Sequence, residues 1–170
     1  MTMKSKIGFK GLFLKVVIFT LCANMVTGAD ICSMKWVYFF QNVIDVLTVQ
    51  PTDSGQMVVQ PTDFLPNSTQ YFTIECGSRP GLFYAVHIET GQVLDIERDS
   101  PHHVIVASID DESLWQQWFV DYQNRRVTNA VTRFVLAIED SNFVPGAAVV
   151  VEPQSEEITP NQLWIVTEYE

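Results

Sequence analysis

Three glutamines each stand two positions before a large aromatic residue, and these pairs give the chain its clearest chemical pattern. The glutamines are at positions 70, 116 and 162, a spacing of 46 residues both times. Residues two apart on a strand share a face, so the ring can enter a core while the amide beside it bonds to turn backbone. The pattern predicts a repeated packing and hydrogen-bonding unit. The pairs are Gln70 with Phe72, Gln116 with Trp118, and Gln162 with Trp164.

Side chains that carry out catalysis or bind metals form no recognisable set in the sequence. The histidines are His87, His102 and His103, and the adjacent two would point to opposite faces of a strand. No Cys/His group has zinc spacing, and there is no nucleophile elbow or phosphate-binding loop. The acidic run 110–112 is typical of a solvated loop. We therefore expect a protein that is not an enzyme and that uses no cofactor or metal.

The segments that precede each pair recur at a similar spacing. A short apolar segment containing a leucine comes first, a valine-rich segment follows, and the glutamine–aromatic segment ends the unit. A fixed period of this size indicates one supersecondary unit used three times, none of which can bury its apolar face alone. The leucines are Leu47, Leu94 and Leu136.

The elements that position these residues are predicted to be strands. Short segments rich in Val, Ile and Phe alternate with polar residues and with turns that contain Gly or Pro. We expect a single helical turn, at 110–114, and four strands in each unit. The first unit begins near 35–41, the third begins near 125–130, and the strands of the second are 82–87, 92–97, 103–108 and 117–121.

A closed barrel of hairpins with pseudo-threefold symmetry accounts best for the period. A propeller needs about four or more blades, a β-helix repeats faster, and a two-sheet sandwich gives no reason for the spacing. A closed barrel removes free sheet edges and lets equivalent side chains meet on one axis. The predicted core is one leucine and one aromatic residue from each unit: Leu47, Leu94, Leu136, Phe72, Trp118 and Trp164.

Residues 1–29 have the layout of a secretory signal peptide: a lysine-rich start, a short apolar run and small residues at the end. The apolar run is shorter than the roughly 20 residues of a spanning helix, and an uncleaved signal anchor is the less favoured alternative. We expect residues 30–170 to form one secreted, extracellular domain without stable membrane insertion. It would hold six basic against 20 acidic residues, a net charge of −14, and such a surface disfavours nucleic acid as a partner.

Two covalent features follow from the expected extracellular location. Cys32 and Cys76 remain after removal of the signal peptide, and in an oxidising compartment they predict one disulfide, with two separate buried thiols as the alternative. Asn67 begins the sequon Asn67-Ser68-Thr69 in a polar stretch, which predicts a glycosylation site.

The repeats resemble those of ricin B-type β-trefoil lectins. Gln116-x-Trp118 and Gln162-x-Trp164 match the Gln-x-Trp signature of that family, and the segment 90–95, Thr-Gly-Gln-Val-Leu-Asp, is similar to its glycine-then-Leu-Asp opening. The resemblance covers residues 35–168. It implies an all-β protein with the β-trefoil fold, made of three pseudo-symmetric four-stranded repeats of about 46 residues.

The resemblance also implies where sugars would bind. In the family an acid after the leucine accepts bonds from sugar hydroxyls, an aromatic ring stacks on the sugar, and an Asn before the motif glutamine binds a hydroxyl. In the second repeat Asp95 matches the acid, Trp115 replaces the Asn, Trp115 or Tyr122 can supply a ring, and His103 lies on the hairpin between them. The candidate residues there are Asp95, Trp115, Gln116 and His103.

The other repeats match the sugar-site pattern less well. In the third, Asn161 and Gln162 match but Ala137 replaces the acid, and in the first Thr48 replaces it, unless a shifted alignment brings in Asp45. Because every repeat lacks part of the set, purely structural roles stay open: Asp95 as a hairpin cap, Asn161 as a turn residue and Trp115 as a cover over the barrel.

Three functions are therefore compatible with the sequence. The first is a secreted carbohydrate-binding protein whose partner is a glycan. The second is a β-trefoil protease inhibitor that inserts loop 61–69 or 142–146 into a secreted protease. The third is a trefoil that has lost sugar binding and serves as a protein ligand. The sequence does not indicate the oligomeric state.

Overall fold

The structure is a computed structural model that describes residues 37–42, 47–62, 69–98, 103–157 and 159–169. Within these ranges the regular structure is twelve strands and three short 3-10 turns, at Leu114–Gln116, Glu139–Ser141 and Pro160–Gln162. No helix among these residues has the length and apolarity to cross a membrane. The strands are β1 (Val37–Asn42), β2 (Leu47–Pro51), β3 (Met57–Pro61), β4 (Phe72–Cys76), β5 (Phe83–His87), β6 (Val93–Ile96), β7 (Val104–Ala107), β8 (Trp118–Asp121), β9 (Arg126–Asn129), β10 (Val135–Ile138), β11 (Val149–Glu152) and β12 (Trp164–Tyr169).

The first and fourth strands of each repeat form a six-stranded barrel. Antiparallel ladders join β12 to β1, β1 to β4, β4 to β5, β5 to β8 and β8 to β9. At the remaining seam, between β9 and β12, the backbone N–H of Trp164 donates to the carbonyl of Arg125 at 2.7 Å. The ladder of β1 with β12 brings the first and last strands of the domain together, so closure leaves the barrel without a long free edge.

The second and third strands of each repeat form the hairpins β2–β3, β6–β7 and β10–β11. Isolated antiparallel bridges join the three hairpins to one another, pairing Gln56 with Ile105 and Val58 with Ala148. The three hairpins therefore form a triangular cap on the barrel. This arrangement is the β-trefoil, as predicted.

The predicted core is confirmed. All six leucine and aromatic residues are at most 4% exposed and belong to one hydrophobic cluster. The indole N–H of Trp118 donates to the carbonyl of Leu94 at 3.0 Å, and that of Trp164 donates to the carbonyl of Leu136 at 2.8 Å. Each indole thus satisfies its one polar group within its own repeat, and burial of such a ring stabilises the fold by about 2–3 kcal/mol.

The element boundaries agree with the sequence predictions to within two residues, apart from the helical turn. We expected that turn at 110–114, but the 3-10 turn is at Leu114–Gln116. Residues 110–113 instead close a tight turn in which the backbone N–H of Ser113 donates to the carbonyl of Asp110 at 2.9 Å. Trp115 and Gln116 therefore lie inside the 3-10 turn, immediately before β8.

Several sequence predictions concern residues outside the described ranges. The signal peptide at 1–29, Cys32, Asp45, Asn67 and most of loop 61–69 lie there. Cys76 is described and is exposed at the end of β4. The disulfide with Cys32 and the glycosylation of Asn67 stay predictions.

Candidate functional site

The motif glutamine has the same structural bond in every repeat. Its side-chain Nε2 donates to a backbone carbonyl at or just beyond the end of the third strand, and all three glutamines are at most 3% exposed. The amide therefore ties the turn before the motif strand, a 3-10 turn in the second and third repeats, to the exit of the hairpin, which is the turn-backbone role expected from the sequence. The bonds run from Gln70 to Pro61 at 2.9 Å, from Gln116 to Ser108 at 2.9 Å and from Gln162 to Pro153 at 3.1 Å.

The second acceptor of each glutamine differs between repeats. Gln116 Nε2 also donates to Asp95 Oδ2 at 3.0 Å, and Gln162 Nε2 donates to Glu152 Oε2 at 3.3 Å. In the first repeat the acceptor is the neutral amide oxygen of Gln50, at 3.2 Å. Within the described residues, a carboxylate thus accepts from the motif glutamine in the second and third repeats.

Asp95 of β6 is the buried carboxylate of the second repeat, at 6% exposure. Its Oδ1 accepts from the backbone N–H of Ile96 at 2.6 Å and from Arg98 Nη1 at 2.8 Å. Because Oδ2 accepts from Gln116, both oxygens have donors. A carboxylate held by these donors stays in one orientation, and its Oδ1 faces the surface group that covers it.

Arg98 is the group that covers Asp95, and the sequence analysis did not single it out. Besides the bond to Asp95, its Nη1 donates to the carbonyl of Ile96 at 2.7 Å, and its guanidinium carbon lies 4.6 Å from the centroid of the Trp115 ring. The side chain is 46% exposed. We call Asp95, Arg98, Trp115 and Gln116 the Asp95 cluster. An arginine three residues after an acid at a strand end was the signal that could have identified it.

Trp115 is positioned through its backbone by the next repeat. Asn129, fully buried at the end of β9, donates from Nδ2 to the carbonyl of Trp115 at 2.7 Å. Two equivalent bonds exist: Asn42 Nδ2 donates to Pro160 O at 2.9 Å, and His87 Nε2 donates to Thr69 O at 2.9 Å. A polar residue at the end of the first strand of each repeat thus fixes the 3-10 turn, or its counterpart, of the preceding repeat.

His87 is the exception among these three residues because it can titrate. A backbone carbonyl only accepts, so Nε2 carries the proton and Nδ1 accepts from the Thr90 hydroxyl at 2.9 Å. Burial lowers the pKa of His87, against the opposing effects of the Thr69 carbonyl and of Glu89. The neutral imidazole is therefore the form that the fold favours.

His103 and Tyr122, the other candidates of the second repeat, lie in different surroundings. The ring of His103 lies between two carboxylates, 3.6 Å from Glu97 Oε2 and 3.7 Å from Glu139 Oε1, and its backbone pairs with Val150 of the third hairpin. Tyr122 is 61% exposed on the turn between β8 and β9. The two carboxylates that flank His103, Glu97 and Glu139, therefore lie outside the Asp95 cluster.

The third repeat brings Asn161 and Gln162 together, as predicted, around a carboxylate that the sequence analysis missed. Glu152 Oε2 accepts from Asn161 Nδ2 at 3.1 Å as well as from Gln162. Asn161 Nδ2 also lies 3.2 Å from the carbonyl of Ile138. We call Glu152, Asn161 and Gln162 the Glu152 cluster. Its loop, residues 153–160, contains no aromatic residue.

The surroundings of the Asp95 cluster are acidic and hydrogen-bonded. The exposed residues 110–112 follow the hairpin, and the backbone N–H of Asp110 donates to Gln116 Oε1 at 2.8 Å. The hydroxyl of Tyr84 donates to the carbonyl of Asp111 at 3.1 Å, and burial raises the pKa of this tyrosine. No group of three or more His, Cys, Asp or Glu residues in the described part could hold a metal ion.

Comparison with known proteins identifies the fold. No protein-family model matches the sequence, and no curated protein matches it. Among solved structures, the designed threefold-symmetric protein ThreeFoil superposes with a TM-score of 0.66 at 19% identity, covering 78% of this chain and 99% of the design. The C-half of an earthworm R-type lectin, in complex with GalNAc, gives 0.63 at 14% identity, covering 79% and 99%.

A third solved structure is matched over about half of its own length. The Polyporus squamosus lectin, bound to an epitope ending in Neu5Acα2-6Gal, gives a TM-score of 0.63 at 11% identity and covers 79% of this chain but 49% of that lectin. At these identities the likeness establishes the β-trefoil fold.

Proposed function

We propose that the chain is a secreted carbohydrate-binding protein and that it binds a glycan at the Asp95 cluster. The observation that carries the proposal is the placement of Arg98, whose single guanidinium lies 2.8 Å from the Asp95 carboxylate and 4.6 Å from the Trp115 ring centroid. A carboxylate and a ring face that one small planar group can reach together are also close enough for one sugar ring. The sugar would donate hydroxyls to Asp95 and place its C–H face on Trp115.

The fold and the solved structures that share it support a glycan as the ligand. Two of the solved structures with this fold are lectins with a bound sugar: the earthworm lectin with GalNAc and the Polyporus squamosus lectin with a sialylated epitope. Binding of this kind requires oriented hydrogen-bond acceptors and apolar area but no covalent chemistry, in line with a binding protein that is not an enzyme.

Charge narrows the glycan class to neutral sugars. Arg98 is already paired with Asp95, and the loop 110–112 adds three exposed acidic residues nearby. The expected mature domain has six basic and 20 acidic residues, a net charge of −14. An anionic sugar would approach against this field, whereas a neutral hexose or N-acetylhexosamine would not.

A glycan array with the domain 30–170 tests the proposal. Trp115→Ala should weaken binding by about fivefold, because loss of a stacking ring removes on the order of 1 kcal/mol of contact energy. Tyr122→Ala is the matched control, since it removes an exposed ring outside the Asp95 cluster. Thermal unfolding of both variants confirms folding. Unchanged binding by Trp115→Ala, or its loss in Tyr122→Ala, would contradict the site.

A second function, protease inhibition, is favoured by the loop 142–146. Val144 is 51% exposed there, and short backbone bonds hold the loop, from Val144 N to Asn142 O at 2.8 Å and from Gly146 N to Val59 O at 2.7 Å. A rigid loop with an exposed apolar tip can enter a protease cleft without large ordering costs. The test is the activity of trypsin-like and papain-like proteases after incubation with the protein, and uninhibited activity of all of them excludes this function.

A further inference from the structure

We infer that Arg98 is an intramolecular lid on the Asp95 cluster, and that it must swing away before a neutral sugar binds. The inference rests on the proposed function, because it concerns regulation of the same site. In the structure the lid is closed: the guanidinium occupies the carboxylate oxygen and the ring face that the sugar would use.

The two occupants exclude each other for geometric reasons. Asp95 Oδ1 accepts from both Ile96 N and Arg98 Nη1, so both of its lone pairs are used while the lid is closed, and Oδ2 accepts from the buried Gln116. The guanidinium also covers the Trp115 face at 4.6 Å. A sugar therefore gains both contacts only where Arg98 gives them up.

The lid can open without disturbing the fold. Arg98 lies two residues beyond the end of β6, its side chain is 46% exposed, and the hairpin is held independently by the bond from Glu97 N to His103 O at 3.0 Å. When Arg98 leaves, Asp95 keeps its bonds to Ile96 N and Gln116. The carboxylate thus stays oriented, and only a solvent-accessible side chain has to change rotamer.

The closed lid lowers the apparent affinity by the fraction of molecules that are open. A half-exposed ion pair and a stacked guanidinium are each weak contacts in water. We therefore expect removal of the lid to tighten binding of a neutral sugar about 3- to 10-fold. The ion pair is also screened by salt, so the wild-type affinity should rise modestly with ionic strength, while that of a variant without the lid should not.

The experiment compares wild type, Arg98→Ala, Arg98→Lys and Arg133→Ala by isothermal titration and on immobilised glycans. The probes are galactose, N-acetylgalactosamine and a sialylated trisaccharide. Arg133→Ala is the matched control, because it removes an exposed arginine that also lies over a ring, 6.0 Å from the centroid of Phe119, and lies outside the Asp95 cluster. Lysine keeps the charge but lacks the planar fork, so Arg98→Lys should fall between wild type and alanine.

Each outcome decides the inference. Tighter binding of the neutral sugars by Arg98→Ala alone, with loss of the salt effect, supports the lid. Equal or weaker neutral-sugar binding by Arg98→Ala overturns the lid and leaves the proposed function standing. Sialylated binding that Arg98→Ala abolishes also overturns it, because Arg98 would then contact the ligand. If neither wild type nor Arg98→Ala binds any probe or arrayed glycan, the lid and the proposed function fall together.

Discussion

The second and third repeats share the hydrogen bonds of their motif tryptophan and glutamine, which we call the frame, and they differ at their surface. In both, the indole N–H bonds to the carbonyl of the leucine on the second strand, and the motif glutamine bonds to backbone at the hairpin exit and to a carboxylate. The carboxylate itself comes from different strands. Asp95 lies on β6 with Arg98 and Trp115 over it, whereas Ala137 holds that position on β10 and Glu152 of β11 takes over the acceptor role.

The comparison separates what the fold needs from what a site needs. The frame needs an acceptor for the glutamine Nε2, and a carboxylate from either strand, or the amide of Gln50 in the first repeat, supplies one. A sugar site needs a carboxylate and a ring at one surface, and among the described contacts only the Asp95 cluster combines them. The Gln-x-Trp spacing therefore predicts the fold well and the ligand poorly.

The largest expected effect tests whether the two frames are equivalent. Trp118→Phe and Trp164→Phe each remove an indole N–H from a buried carbonyl and leave a gap, so each should destabilise the protein by about 3 kcal/mol. Urea unfolding gives both values, and we expect them to agree to about 1 kcal/mol. Trp115→Phe, at a partly buried ring outside the frame, is the control and should cost less. A large inequality between the two frame variants would break the equivalence.

A second prediction compares how much the carboxylates of Asp95 and Glu152 contribute to stability. Both oxygens of Asp95 accept hydrogen bonds, so in Asp95→Asn the new NH₂ must face a donor of Gln116, Ile96 or Arg98, at a cost of about 1–3 kcal/mol. The described bonds to Glu152 all end on Oε2, so the single oxygen of Gln in Glu152→Gln can accept them, at a cost of at most about 1 kcal/mol. Urea midpoints provide the comparison.

The two isosteric changes control for each other, because each removes one negative charge without changing the shape of the side chain. Equal costs would show that lost charge, not the direction of the hydrogen bonds, sets the penalty. A larger cost for Glu152→Gln would mean that the third repeat depends on its carboxylate more than the second does, and would reverse the comparison.

The frame and the grouping of Asp95, Trp115 and Gln116 were predictable from the sequence, but the positions of Arg98 and Glu152 were not. A 46-residue period and the two-residue spacing of glutamine and aromatic fix which side chains share a strand face, and both survive small errors in strand boundaries. The role of Glu152 depends on the direction in which a side chain at the end of β11 turns. The position of Arg98 depends on rotamers of a long side chain beyond the end of β6, and neither leaves a periodic signal.

Each repeat is joined to the preceding one by a hydrogen bond from a polar residue at the end of its first strand, and we call this bond the repeat junction. His87 occupies this position in the second repeat, where the other two repeats have Asn42 and Asn129. All three side chains donate to a carbonyl in the turn before the motif strand, but only the imidazole can gain a proton. Replacement of His87 by Asn therefore makes this junction chemically like the other two. It isolates the contribution of titration from that of the hydrogen bond.

The smallest expected effect is a change in pH dependence. Burial lowers the pKa of His87 in the folded protein below its ordinary value of 6.5. On acidification the unfolded chain therefore takes up this proton first, and the free energy of unfolding decreases as the pH falls below 6.5. Between pH 7.5 and 5 the Tm of wild type should therefore fall more steeply than that of His87→Asn. Asn129→Ala, which removes a junction bond without a titrating group, should lower Tm by a similar amount at every pH. Parallel curves for wild type and His87→Asn would mean that His87 gains its proton equally in both states, and that the junction tolerates the imidazolium by turning the Thr90 hydroxyl into an acceptor.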